Sequence, residues 1–180
     1  MEDFTTPSHS LLHSFCIRPH AKFESQLADE EIILLLRAHP VTQLPWVLNG
    51  IFILILLMFI DFFAGSFFSP AQLFVFNVGI ISFIFAYYWF NFLSYFFNVG
   101  LITNKRILDV DFHAVIYKEV TEARISKIED ITAKTGGYAA SLFNFGNVFV
   151  QTAGSELNIE FINVPRPTDV VKIINSIGSV

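Results

Sequence analysis

Three side chains that could coordinate a divalent cation alternate along one predicted strand, at Asp109, Asp111 and His113. Residues at i, i+2 and i+4 of a strand point to the same face. Carboxylate oxygens and an imidazole nitrogen are ligands that such cations accept. The solvated face of a half-buried strand shows the same alternation, however, and we expect no metal here. An enzyme that uses this face is the less favoured alternative.

Two adjacent cations, Lys105 and Arg106, form a second candidate site in a turn between predicted strands, with Lys118 on a neighbouring strand. Such a cluster could attract lipid phosphates, but Asp109 and Asp111 offset its charge. Each base near an anionic membrane contributes about 1 kcal/mol of attraction. We therefore expect weak, non-specific contact with anionic lipid.

The N-terminal residues 1–26 offer a third arrangement, because His9, His13 and Cys16 would share one face of a helix. Pro7 opposes a helix there, and we expect a flexible, solvated tail. A single cysteine excludes an internal disulfide. The sequence has no glycine-rich phosphate loop and no nucleophile with a neighbouring base, so we expect neither a cofactor nor an enzyme.

The element that must position these residues is a pair of apolar runs over residues 46–97. The first run, Trp46–Phe63, has Asp61 as its only charge, and the second, Leu73–Phe97, has none. At about 1.5 Å per residue, each run can cross a hydrocarbon core of roughly 30 Å as a helix. The sequence therefore predicts a two-helix transmembrane hairpin.

The flanking charges predict the orientation of this hairpin. Arg37 precedes the first helix, Lys105 and Arg106 follow the second, and the short link between them has no Lys or Arg. The positive-inside rule then places both termini in the cytosol, with Trp46 and Trp89 at the cytosolic headgroup level. These five residues are the predicted membrane interface.

Residues 27–45 form a juxtamembrane segment, in which DEEIILLLR (29–37) is too short to span a membrane. It suits either a buried strand or the start of a helix at the interface. Its shortness and Pro40 favour the strand, which would pair with the C-terminal domain. The net charge is −5 and no basic block is present, which argues against nucleic acid as a partner.

Residues 98–180 change from strand periodicity to helix periodicity. Short strands are predicted over residues 97–103, 106–111, 115–120, 124–134, 147–152 and 156–162, with a bulge in 124–134 and one helical turn over 138–145. The last hairpin would turn at Ala153-Gly154-Ser155. A terminal amphipathic helix follows, with its apolar face at Val170, Ile173, Ile174 and Ile177. This order predicts a small β-rich barrel that is closed by one helix.

The segment LITNKRIL (101–108) resembles the opening motif of bacterial pleckstrin-homology domains of the membrane-flanked, YdbS-like kind. Later pieces follow in order at ISKIEDI (125–131), FGNV (145–148), QTAG (151–154) and NVPRP (163–167). The resemblance implies seven strands in two sheets and a C-terminal helix, with no catalytic or ligand signature.

These observations predict a membrane-anchored, non-enzymatic module in the cytoplasmic membrane of a bacterium. It would present a pleckstrin-homology-like domain for protein interaction or assembly. Gly50, Gly79 and Ser82 permit close helix contacts, so a homo-oligomer is a candidate partner beside the bilayer and another protein. The alternative is a subunit of a transport or channel assembly, in which Asp61 would line a path.

Overall fold

A computed structural model of the chain describes residues 13–20, 22–23, 25–113, 117–153 and 158–178. The predictions about His9 and about the turn residues Gly154 and Ser155 lie outside this described part. The strands are β1 (Phe15–Ile17), β2 (Ile32–Leu36), β3 (Val99–Thr103), β4 (Arg106–His113), β5 (Tyr117–Arg124), β6 (Ile128–Lys134), β7 (Phe145–Thr152) and β8 (Ile159–Pro165). The helices are α1 (Leu44–Ala64), α2 (Pro70–Phe97), α3 (Tyr138–Phe143) and α4 (Pro167–Gly178), with 3-10 helices at Pro40–Gln43 and Ile125–Lys127.

The strands form two antiparallel sheets that share one apolar core. The first sheet has the order β1-β2-β3-β4-β5 and the second the order β6-β7-β8. Helix α4 supplies Val170, Ile173 and Ile174, which are almost fully buried against both sheets. The terminal amphipathic helix and the β-rich domain are therefore confirmed.

Helices α1 and α2 form an antiparallel hairpin whose surface is almost entirely apolar and exposed. Both helices are long and apolar enough to cross a membrane. The Tyr88 hydroxyl donates a hydrogen bond to the Val47 carbonyl at 2.8 Å, and Gly50 lies beneath the Tyr88 ring. A capping box between Ser69 and Gln72 begins α2, because Ser69 and Gln72 each accept a backbone N–H of the other.

The two ends of the β-rich domain differ in their relation to this hairpin. At the end called here the hairpin end, the rings of Phe97 and Phe112 lie 5.1 Å apart, and the Asn98 side chain accepts the Phe112 N–H at 2.6 Å. Strand β3 leaves α2 there, and its five residues carry the chain about 17 Å away. The opposite end, called the far end, contains Lys105, Arg106, Arg124 and Lys127.

The structure differs from the sequence predictions in two places. Residues Phe15–Ile17, inside the predicted flexible tail, pair with β2 and add an edge strand, because Cys16 has an apolar place beside Leu35 and Leu101. The described residues therefore form eight strands instead of seven.

The predicted strand over residues 124–134 is also interrupted. A 3-10 helix at Ile125–Lys127 lets the chain leave the first sheet and enter the second. Residues Ile125 and Ile128 pack against the core on either side of this change of sheet. The expected bulge is present, as a register shift between Ile128 and Asp130.

Candidate functional site

The junction between the hairpin and the β-rich domain is organised around Arg37, which follows β2 directly. Its side chain is almost completely buried, with the guanidinium 4.8 Å from the centre of the Phe96 ring. Its Nε donates a hydrogen bond to the Phe96 carbonyl at 3.2 Å. The Ser14 and Tyr95 hydroxyls form a further hydrogen bond at 3.2 Å.

The charge of Arg37 suits this position in spite of its burial. Burial lowers the pKa of Arg37, and Tyr95 and Cys16 oppose this effect. A guanidinium stays protonated in proteins, so Arg37 brings a cation to the C-terminal end of α2. The unpaired carbonyls of a helix C-terminus carry partial negative charge and favour a cation there.

The two tryptophans occupy one level of the hairpin, as expected for an aromatic belt. The Trp46 and Tyr88 rings lie 5.5 Å apart in an edge-to-face arrangement, and Trp89 is the next residue along α2. Trp89 is half exposed, whereas Trp46 donates its Nε1–H to Gln43 at 2.7 Å. Their role at a membrane interface stays a prediction.

A cavity of about 300 Å³ lies beside Arg37 at the hairpin end, and acidic side chains line it. They are Asp109, Asp111 and Glu160. Burial, with additional repulsion from Asp111, Glu119 and Glu160, raises the pKa of Asp109 to about 7. Asp109 therefore exchanges a proton near neutral pH, which the strand pattern alone did not indicate.

The predicted Asp109–Asp111–His113 face is only partly observed, because the His113 side chain lies outside the described part. Within the described residues, no group of three or more His, Cys, Asp or Glu side chains is arranged to hold a metal ion.

A second cavity, of about 690 Å³, lies at the far end and has basic walls. Lys105, Arg106, Arg124 and Lys127 line it together with Glu122. Arg106 and Arg124 are directly opposite each other on β4 and β5. Two like charges in this register destabilise a sheet unless a carboxylate offsets them.

Glu30 is that carboxylate, and its side chain is fully buried. The Arg106 Nε lies 3.0 Å from one carboxylate oxygen of Glu30 and its Nη2 3.1 Å from the other. The Thr103 hydroxyl donates to the same carboxylate at 2.8 Å. Burial would raise the pKa of Glu30, but the hydrogen bonds from Arg106, Leu27 and Thr103 outweigh it and hold the pKa below 4.5.

Arg106 has a second acidic partner at the far end. The guanidinium of Arg106 also contacts Glu122 at 2.6 Å, so its donors are engaged within the protein. Lys105 is exposed but lies with Arg106 at the far end. The contact of these two residues with a membrane interface stays a prediction. Glu30 and Arg106 are 76 residues apart, and no local pattern could have paired them.

The intrahelical acid Asp61 also has a partner in the structure. The Asn77 side chain donates a hydrogen bond to Asp61 across the hairpin at 3.1 Å and a second to the Leu73 carbonyl at 3.0 Å. Both residues lie toward the link between α1 and α2. Asp61 is thus hydrogen-bonded within the hairpin, and its place in a transport path stays an alternative.

A protein-family model described as "Bacterial PH domain" matches residues 40–177. The chain is also similar to a solved structure, the crystal structure of a DUF1696 family protein with a pleckstrin-homology domain from Shewanella loihica PV-4. The two are 19% identical, with a TM-score of 0.34, over 46% of this chain and 68% of that one. A search among curated proteins found no match.

Proposed function

This chain belongs to the bacterial PH domain family, and on that premise we propose that it is a membrane-anchored, non-enzymatic module for protein interaction or assembly. Its hairpin spans the cytoplasmic membrane of a bacterium, and its β-rich domain faces the cytosol. The motif series that begins at Leu101 supports the narrower assignment to YdbS-like, membrane-flanked members.

The observation that carries this proposal is the insertion point of the hairpin. Strand β2 leads into α1, and α2 leads out into β3, yet β2 and β3 are paired neighbours in one sheet. Two hydrogen-bonded strands thus hold the helices, with Arg37 closing the junction. A domain attached in this way keeps a fixed height and orientation above the bilayer, which suits a surface that must meet a partner in the membrane plane.

The hairpin surface supports the membrane location. Residues such as Met58, Phe62 and Phe83 are more than 60% exposed, and neither helix carries a charge apart from Asp61. A continuous apolar surface of this size would drive aggregation in water. The absence of Lys and Arg from the link, against Arg37 and Lys105 on the other side, supports cytosolic termini.

Helix α2 also offers a surface to a second copy of this chain. A Cβ atom added at Gly79 would meet nothing within 4 Å, and Ser82 one turn further on is exposed. Small residues on an open helix face allow a neighbouring helix to approach closely. Gly50 is not available for this purpose, because the Tyr88 ring already covers it. We therefore include a homo-oligomer, in contact through α2, in the proposal.

Crosslinking in native membranes tests the proposal, with a photoreactive amino acid placed at one position at a time. Position 79 reports on a second copy, and position 124 reports on a cytosolic partner. Position 56, in the middle of α1, is the control for contact with lipid. We expect a crosslinked dimer from position 79 or an additional protein from position 124, identified by mass spectrometry. A lone monomer from both positions would contradict the interaction role.

Cysteine labelling tests the orientation separately. In a Cys16→Ser background, a cysteine at Ser66 in the link should react with a membrane-impermeant maleimide in intact spheroplasts, whereas one at Lys105 should not. Reaction at position 66 only after lysis would show that the orientation is wrong.

A further inference from the structure

Helix α3 presents three exposed apolar side chains to solvent, and two of them are the most exposed in the described part of the β-rich domain. Tyr138 is 98% exposed, Leu142 77% and Phe143 46%, while Ala140 on the opposite side is buried. These exposures match those of the hairpin side chains, such as Phe62 at 82%. Exposure of so many apolar side chains on a six-residue helix is unfavourable in water.

The position of α3 is fixed at the hairpin end. Strand β6 runs from the far end to Lys134 at the hairpin end, where Gly137 adopts a positive φ of 88° and begins α3. The His39 ring lies 6.5 Å from Phe143 and stacks on Phe145 at 5.4 Å. His39 in turn accepts the Val41 N–H at the start of the 3-10 helix that continues into α1. Helix α3 is therefore attached to the base of the hairpin.

The charge pattern distinguishes this region from the rest of the domain. No charged residue occurs between Lys134 and Glu156, a stretch that includes α3 and all of β7. The far end, by contrast, carries four cations around its cavity. An uncharged, aromatic and aliphatic face is typical of segments that lie in the interfacial layer of a bilayer, and aromatic rings with a polar tip are favoured there.

The length of α2 brings this face to the depth of the lipid headgroups. Its 28 residues span about 42 Å as a helix, which equals the thickness of a bilayer including both interfacial layers. The C-terminal end of α2, and with it the hairpin end of the domain, then lies at the surface of the membrane.

We propose that α3 inserts Tyr138, Leu142 and Phe143 into the interfacial layer of the leaflet that the hairpin enters. The inference rests on the proposed membrane location of the hairpin and adds a third contact, beside α1 and α2, between chain and bilayer. A contact beside the hairpin restricts the tilt of the domain relative to the membrane plane. The inserted helix thus determines which face of the domain is turned toward the bilayer.

Spin labelling of the full chain in vesicles of phosphatidylethanolamine and phosphatidylglycerol tests this insertion. In a Cys16→Ser background, single nitroxides are placed at Leu142 and, independently, at Tyr138, whose full exposure makes a folding defect unexpected. Leu56 in the middle of α1 is the bilayer control, and Glu129 on β6 is the water control. We expect the labels at positions 142 and 138 to be accessible to oxygen and protected from a nickel complex, like the label at position 56. The label at position 129 should show the reverse.

The controls separate the two proposals. If the nickel complex reaches positions 142 and 138 while position 56 is accessible only to oxygen, the insertion of α3 is overturned and the membrane location of the hairpin is not. Nickel access at 56 would overturn the membrane location of the hairpin. Protection of 142 from both oxygen and nickel would mean that protein covers α3, and this result would also overturn the insertion.

Discussion

Arg37, the residue that follows β2, contacts Phe96 in the last turn of α2 in two ways. The guanidinium lies 4.8 Å from the centre of the ring, and Nε donates to the carbonyl of the same residue at 3.2 Å. Both contacts are shielded from solvent, because Arg37 is only 7% exposed. This pair joins the end of β2 to the C-terminal end of α2.

Replacing Arg37 with Gln should therefore lower the free energy of unfolding by about 2 to 3 kcal/mol. The substitution removes a charge-assisted hydrogen bond and a cation–π contact from a buried site. Arg37→Lys should recover only part of the loss, because an ammonium cannot maintain the planar contact. Thermal unfolding in detergent measures the effect, and Lys105→Gln, on an exposed turn, is the control. Equal midpoints for Arg37→Gln and the wild type would contradict the role of this pair.

Glu30→Gln should be more costly, about 3 to 5 kcal/mol, because it leaves the Arg106 guanidinium with one buried partner fewer. The neighbouring exposed residue provides the matched control, Glu31→Gln. Denaturant unfolding measures the free energy of unfolding of both variants, one at a buried acid and one at an exposed acid next to it. Similar losses from both would show that the buried ion pair is not the cause.

The acid stability of the protein should reflect the same residue. The pKa of folded Glu30 is below its unfolded value of 4.5, so its contribution is complete above that pH and is lost as the pH falls through the folded pKa. Midpoints of thermal unfolding should therefore fall at low pH more steeply in the wild type than in Glu30→Gln. Parallel curves below pH 4.5 would contradict this prediction.

Asp109 should produce the opposite dependence in a higher pH range. Its folded pKa is about 7 against 3.8 when unfolded, so between these values the folded state binds more protons than the unfolded state. Stability then falls as the pH rises from about 4 to 7 and levels off above. Asp109→Asn should abolish this slope and stabilise the protein at pH 8. The exposed control Glu129→Gln should retain it, and a retained slope in Asp109→Asn would assign the effect to another group.

Two glycines of the hairpin provide a test of its internal packing. A methyl group at Gly50 would overlap the Tyr88 ring, whereas one at Gly79 would meet nothing within 4 Å. Gly50→Ala should cost about 1 to 3 kcal/mol through displacement of Tyr88 from Val47. Gly79→Ala should leave the hairpin of a single copy unchanged, as judged by unfolding in SDS. Equal sensitivity at both sites would indicate that Tyr88 moves aside freely.

The features that could be predicted from the sequence are those with a local signal. Uncharged runs identify α1 and α2, and the spacing of Val170, Ile173 and Ile174 identifies α4. The aliphatic run Ile32–Leu36 indicates a strand in the same way, and its predicted pairing with the C-terminal domain agrees with its contact to β3. Each of these patterns lies within one element.

The features that could not be predicted depend on contacts between distant segments. In the sequence, nothing distinguishes Glu30 from the neighbouring acids, because its partner Arg106 is brought to it only by the fold. Cys16 has no apolar periodicity around it, and only the edge of β2 makes its segment a strand. The break at Ile125–Lys127 arises because the chain must change sheets, and nothing in the spacing of its isoleucines distinguishes this from a bulge. The exposure of Tyr138 and Leu142 is likewise a property of the folded surface.

The position of the hairpin between β2 and β3 also constrains biosynthesis. The ribosome releases β2 before the hairpin and β3 after it, and about 60 residues separate these strands. Closing so long a loop in a free chain has an entropic cost, which an inserted helical hairpin removes by returning the chain to the same side of the bilayer. With the hairpin in the membrane as proposed, the sheet is completed only after the hairpin has inserted. A copy that fails to enter the membrane would expose the unpaired edge of β3 and become a substrate for proteolysis.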